Sequence, residues 1–285
     1  MNISGEVKIT VYEPDNCLKK GYRSLIAEIW DDLASNRWLT YQLFRRDFFA
    51  AYEQSFVGAL WAFIIPLVSV GTFVVLQRSG IISVGAINVP YILYAVMGIS
   101  FWQLFATGLV AGTNALVQAG PMVIKINFSK KSLIIASAGQ ALISFCIQLG
   151  FVLVLLVYYR IPPSFNVVFL PLFIIPLVLL TLGLSFLFAV LNGIMRDIGT
   201  MLLVTLPFLM FITPIFYARP VGGLLASVTR FNLLYYLICV PRNMILSGTM
   251  HELGAYAAAC AAAIFLFGLS LYIFHLAETR VTERI

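Results

Sequence analysis

The chain has 285 residues, 61% of them hydrophobic and only 11% charged, with a mean hydropathy of +0.97. An average soluble protein carries roughly 25% charged residues, and one soluble core cannot bury this much apolar surface, so a soluble enzyme or a DNA-binding domain is excluded. The net charge of +6 is then read as orientation across a bilayer and contact with anionic lipid, with no nucleic acid as partner.

The charges are grouped. Residues 54–77, 79–124, 132–159, 161–195, 198–218 and 253–277 contain no Asp, Glu, Lys or Arg. A bilayer crossing needs about 20 apolar residues. The expectation is an all-α polytopic membrane protein with six transmembrane helices, at 54–77, 90–112, 133–158, 167–190, 199–217 and 254–275. This gives a polar N-terminus (1–52), a transmembrane domain (53–277) and a short tail (278–285).

Residues 1–52 carry seven cations and no early apolar core before a cleavage site, so no signal peptide is expected. Within them Tyr22, Leu25, Ile26, Ile29, Trp30 and Leu33 repeat at helical spacing, with Arg23, Glu28, Asp31 and Asp32 largely off that stripe. Such a helix over 20–36 is too polar to cross; it lies flat at the membrane interface or packs on a soluble partner. Asp31–Asp32 reads as a solvated face rather than a metal site. Arg46 and Asp47 follow, just before the first span.

The first span brings Phe56 and Phe63 onto one helical face, with Trp61 roughly opposite Phe63. After the second span, Asn114, Gln118, Gly120 and Pro121 read as a loop. Its segment 119–131 alternates apolar Met122, Ile124, Ile126 and Phe128 with polar or basic residues, among them Lys125, Lys130 and Lys131. An apolar plug with basic flanks fits a docking element, and the competing reading is a solvated loop held to lipid by its lysines. Arg196 and Asp197 separate spans four and five. Span five places Phe208 and Phe211 on one face, with Phe216 and Tyr217 at its outer end. Segment 218–250 is apolar but interrupted by Gly222–Gly223, Pro241 and three arginines, and runs such as Leu233–Val240 are too short to cross. They should dip into the outer leaflet and return, or lie on it. Small residues at Gly108 and Gly112, and at Gly254, Ala258 and Ala262, permit close helix approach, a pattern also common in membrane helices generally.

An even number of spans puts both termini on one side. Thirteen of the 18 Lys and Arg residues fall there; Arg78, Arg160, Arg219, Arg230 and Arg242 fall on the other. The positive-inside rule makes the first side cytoplasmic. Chemistry is sparse. No P-loop motif appears, His251–Glu252 lacks a second His at position 255, and Cys17, Cys146, Cys239 and Cys260 form no zinc or disulfide pattern. No carboxylate sits in mid-span, which disfavours an ion-coupled carrier. No catalytic residues, no metal site and no cofactor are expected in this chain. A transporter subunit driven by another chain, a membrane enzyme acting on a polyprenyl-linked substrate, and a non-catalytic scaffold remain to be separated.

Three stretches, in order and spacing, are similar to the ABC-2 type permeases that export cell-surface polysaccharides. The first is Arg46-Asp47, then Tyr52-Glu53-Gln54-Ser55-Phe56-Val57-Gly58-Ala59-Leu60-Trp61 and Pro66. The second is Gly98, Trp102, Phe105 and Asn114, then Ile124-Lys125-Ile126-Asn127-Phe128. The third is Arg196-Asp197-Ile198, then Thr213-Pro214-Ile215-Phe216-Tyr217, Asn232, Arg242 and Gly248. The chain departs from the family at Phe128-Ser129 and Asn232-Leu233, where a proline is usual in second place. The O-antigen exporters, with their long polar N-terminus, resemble it more than the capsule or teichoic acid exporters do. The resemblance implies six spans in a bacterial inner membrane and an N-terminal interface helix. It also implies a cytoplasmic coupling helix with Ile124, Lys125, Ile126, Phe128 and Lys130, and re-entrant helices holding Asn232 and Arg242. It implies a homodimer with two copies of a separate ATPase that holds ATP and magnesium, and a lipid-linked polysaccharide as cargo. Spans one and five would line the path, making Phe56, Phe63, Phe208 and Phe211 candidate lining residues and Tyr217 its exit. Arg46 and Arg196, with Asp47 and Asp197 beside them, are candidates to meet the carrier's pyrophosphate, because guanidinium matches phosphate in a bidentate way; solvated anchors are the alternative.

Overall fold

The computed structural model describes residues 30–53, 60–80, 85, 87, 89–119, 129–162, 164–219, 222–248 and 252–281. Among these residues the regular elements are helical and no strand forms. After a helical stretch over 30–35 come α1 (Arg37–Glu53), α2 (Trp61–Arg78), α3 (Tyr91–Gln118) and α4 (Lys130–Tyr158). A 3-10 turn (Phe165–Phe169) leads into α5 (Leu170–Ile194), then α6 (Asp197–Ile212), α7 (Gly223–Phe231), α8 (Leu233–Ser247) and α9 (Leu253–Val281).

Four stretches are long and apolar enough to cross a membrane: Tyr91–Gln118, Lys130–Tyr158, Phe165–Ile194 and Leu253–Ala277. The α7–α8 pair becomes a fifth only if counted as one span, because it bends through 91° at Asn232. Helix α6 is apolar but 16 residues long. Helix α2 covers most of the expected first span, whose start at 54–59 lies outside the described residues.

Of the boundaries that differ from the sequence expectation, three have a local reason. Helix α3 continues to Gln118 instead of stopping at 112, because the Asn114 side chain is satisfied inside the helix: its amide donates to Val110 O at 3.0 Å. Helix α4 starts at Lys130, three residues early, since Lys131 is buried against the N-terminal segment. Helix α6 stops at Ile212, five residues early. Pro214 pushes the preceding residue out of the helical region, and Thr213 has ψ 123°.

Two apolar clusters divide the body. The larger joins α2 through Val70, α3, α4, α5, α6, the break after α6, α8 and the start of α9. The smaller gathers Leu43 of α1, Leu116 of α3, Leu133 and Ile134 of α4, Phe186 and Val190 of α5, and Leu271 and Phe274 of α9. It marks one end of the bundle; the break after α6, the α7–α8 pair and the start of α9 form the other. Gly108 and Gly112 are spent inside the chain, where a side chain would meet Thr181 and Ser185 of α5, so this pair of small residues is intramolecular. Gly254 of α9 has no neighbour within 4 Å.

Candidate functional site

Among the described residues, a dense polar constellation surrounds the break after α6. Thr213, Pro214, Ile215 and Phe216 are buried yet not helical, so their carbonyls need partners from elsewhere. Each finds one. Ile215 N–H donates to Thr213 O at 2.7 Å, the Cys239 thiol to Pro214 O at 3.3 Å, Arg242 Nη1 to Ile215 O at 2.6 Å and the Tyr94 hydroxyl to Tyr217 O at 3.1 Å. Asn232 caps α8 by accepting from Leu234 N–H at 3.0 Å, while its amide donates to Thr213 Oγ1 at 2.8 Å. Gly248, in the left-handed region at φ 67°, closes α8.

Arg242 is the centre of this lattice and is only 1% exposed. No carboxylate pairs with it among the described residues. Its Nη2 donates to Tyr94 Oη at 2.5 Å, its Nε to Asn243 Oδ1 at 3.3 Å, and the guanidinium lies 3.7 Å from the Tyr94 ring centroid. A buried cation is tolerated only when hydrogen-bonded throughout, and a cation over an aromatic face adds to that. Gly98 lies one turn after Tyr94 on the same helix face. A side chain there would stand 2.9 Å from both Arg242 Nη1 and Ile215 O.

Below the break, the start of α9 is tied in. Arg219 pairs with Glu252, which accepts from the Tyr235 hydroxyl at 3.1 Å, and Arg219 lies 5.2 Å from the Tyr235 ring. Tyr217 folds back so that its hydroxyl donates to Phe211 O at 2.6 Å, one of the carbonyls that α6 leaves unpaired at its end. Phe216 stacks on Phe73 of α2 at 3.7 Å between centroids.

The expected lining residues divide by exposure. Phe208 and Phe211 share one face of α6 and are 66% and 54% exposed. Trp61 is exposed on α2. Phe56 and the Phe63 side chain lie outside the described residues.

At the basic end, α3, α5 and α6 cross on asparagines. The Asn192 amide donates to Asn114 Oδ1 at 3.0 Å and Thr113 O at 3.3 Å, and its Oδ1 accepts from Gly199 N–H at 3.0 Å. A side chain at Gly199 would collide with Asn114 Oδ1. Arg196 and Asp197 are exposed on the α5–α6 turn, where Asp197 in the first turn suits the positive end of the helix dipole. Arg46 is engaged by its neighbour, with Nη2 2.7 Å from Asp47 Oδ1.

The coupling candidates Ile124, Lys125, Ile126 and Phe128 lie outside the described residues, and Lys130 opens α4. Beside it the structure corrects two expectations. Lys131 is 2% exposed, not a surface charge, and Asp32 is its partner at 2.8 Å, not a solvated carboxylate. The Ser129 hydroxyl also donates to Asp32 at 3.2 Å. Among the described residues no cluster of three His, Cys, Asp or Glu side chains forms.

Tyr94 and Asn192 were not singled out in the sequence, and Cys239 was read there only as a cysteine outside any zinc or disulfide pattern. For Asn192 the signal was present, a lone amide in an otherwise apolar span. Tyr94 and Cys239 become visible only once Thr213–Tyr217 is known to be bent.

Three curated proteins resemble the chain. O-antigen export system permease protein RfbA of Myxococcus xanthus is 29% identical over 190 residues, covering 65% of this chain and 70% of the relative. Two proteins of the same description from Klebsiella pneumoniae are 23% and 22% identical over 209 residues, covering 72% of this chain and 79% of each relative. No family model matches. The resemblance carried by the three motif stretches therefore extends over most of the chain.

Proposed function

We propose that this chain, a relative of polysaccharide-export permeases of the ABC-2 type, is the membrane subunit of an ATP-driven exporter that moves a lipid-linked, O-antigen-like polysaccharide across the inner membrane. The observation that carries the proposal is the alignment with three O-antigen export permeases over roughly two thirds of the chain, on an all-helical body with long apolar helices. It is a transporter rather than an enzyme. The missing P-loop motif leaves ATP and magnesium to a separate ATPase, present in two copies.

Six spans complete the topology: α2 with the residues before it, α3, α4, α5, α6 and α9. Both termini are cytoplasmic, in keeping with the distribution of Lys and Arg. The α7–α8 pair is re-entrant, which suits its 91° bend. Residues 121–131 dock on the ATPase through Ile124, Ile126 and Phe128, with Lys125 and Lys130 at the rim. Two copies of the chain enclose the path. The support is α6, an apolar helix that buries only Gly199, Leu202 and Leu206 within its own chain. Phe208 and Phe211 offer flat surfaces to the C–H faces of sugars while tolerating sliding.

The test is deletion of the gene in its host. Surface polysaccharide should disappear while complete lipid-linked glycan accumulates on the cytoplasmic side. An incomplete or altered lipid-linked glycan would instead mark a membrane enzyme, and undiminished surface O-antigen with loss of capsule or teichoic acid would assign the cargo to those polymers.

A further inference from the structure

We propose that Arg242 is the positioning residue of the exit: it holds Thr213–Tyr217 bent against α3, and through that bend sets where Phe216 and Tyr217 stand, without touching the glycan itself.

The bend is the unusual element. Five residues leave the helix inside an apolar environment, where the least costly course for a chain is to remain helical and satisfy its own carbonyls. The bend persists because side chains from α3 and α8 replace those intrahelical partners. Most of these are neutral donors. Arg242 alone brings a charge, and a charged donor to a carbonyl is roughly twice as strong as a neutral one. It also joins three elements at once: α8 through its own backbone, the bend through Ile215 O, and α3 through Tyr94. Tyr94 then passes the link on to Tyr217 O at 3.1 Å. The passage for the guanidinium exists because residue 98 is glycine. Downstream of the clamp, Phe216 lies on Phe73 of α2 and Tyr217 returns to Phe211 O. The rings that close the outer end of α6 against α2 therefore depend on one guanidinium that is itself sealed from solvent.

The export arm of the test rests on the function proposed above; the geometric arm does not. The geometric arm uses a disulfide between Phe73→Cys and Phe216→Cys. In that background Cys17, Cys146 and Cys260 become Ala and Cys239 becomes Ser, whose hydroxyl keeps a donor for Pro214 O. Four variants are placed in it: Arg242→Met, Arg242→Lys, Tyr94→Phe and Gly98→Ala. Gly98→Ala keeps the guanidinium but pushes it off Ile215 O, so it serves if Arg242→Met does not fold. Disulfide yield should fall about tenfold in folded Arg242→Met and in Gly98→Ala, and less in Arg242→Lys and Tyr94→Phe. The double variant Gly98→Ala/Arg242→Met should be no worse than either single one, because both remove the same contact. In the assembled transporter, export should fall by a similar factor while ATP turnover stays within about twofold. A wild-type disulfide yield in folded Gly98→Ala or Arg242→Met overturns the proposal, whatever happens to export. So does a loss of export matched by an equal loss of folded protein with the disulfide unchanged, which would make Arg242 a stability residue only.

Discussion

Helices α3 and α6 are both apolar, with no charge beyond Asp197 at the start of α6, yet the single chain treats them in opposite ways. In α3, 78% of the most apolar window is buried, and its neighbours α4 and α5 cover it along both apolar clusters. In α6 only Gly199, Leu202 and Leu206 are buried, and Phe208 and Phe211 stand out from the surface. Hydropathy cannot tell the two apart. Their polar punctuation can. Two amides of α3 serve contacts with its own chain, Asn114 with Asn192 and Gln103 with Gln148. The hydrogen bonds that tie α6 to the rest of the chain lie where it begins and ends, at the asparagine crossing and at the clamped break. It is a helix held at its two ends, with its middle left for something outside the chain.

If that contrast is right, the buried ties of α6 should be far more sensitive than its exposed face. Gly199→Val puts branched carbon atoms onto Asn114 at the tightest crossing and should cost about 3 kcal/mol or more. It should be seen as a large drop in melting temperature in detergent or as loss of folded protein; near wild-type stability would mean that the crossing does not anchor α6. Asp32→Ala removes a carboxylate 2.8 Å from the buried Lys131 and should cost about 2 kcal/mol, with partial recovery in the exchanged pair Asp32→Lys/Lys131→Asp. Phe128→Ala should weaken ATPase assembly by about 2 kcal/mol, since an apolar anchor carries more than a rim charge, and Lys130→Ala far less. Equal stimulation of ATP turnover in those two variants would remove 121–131 as the docking element. The smallest expected effect on stability is on the exposed aromatic face of α6. Phe208→Ser and Phe211→Ser should shift unfolding by no more than about 0.5 kcal/mol, as exposed positions do, while export falls markedly. A large stability loss there would show that those rings pack inside one chain, against the contrast drawn above.

Much of this was visible in the sequence. Charge-free stretches located the helices, and the run of broken apolar segments at 218–250 marked the bent pair α7–α8. What escaped was polar detail that depends on a partner distant in the chain. Asn114 and Gln118 read as part of a loop because nothing local shows that Asn114 meets Asn192, 78 residues later. Lys131 read as a surface charge because its partner, Asp32, is 99 residues earlier. Thr213-Pro214 was legible as a motif but not as a helix end, since the residues that make the break tolerable sit on α3 and α8. The spacing of Phe208 and Phe211 correctly gave a shared face, because that depends on helical geometry alone.

The most direct test of the account is transport in a defined system. Inside-out membrane vesicles carrying this chain and its ATPase would be loaded with lipid-linked glycan on their outer, cytoplasmic face. Addition of ATP should make the glycan inaccessible to an added glycosidase, with cysteines at 208 and 211 reacting with a water-soluble thiol reagent only while transport runs. Glycan that stays fully digestible despite ATP hydrolysis by the assembled complex would contradict the assignment of this chain as the export permease.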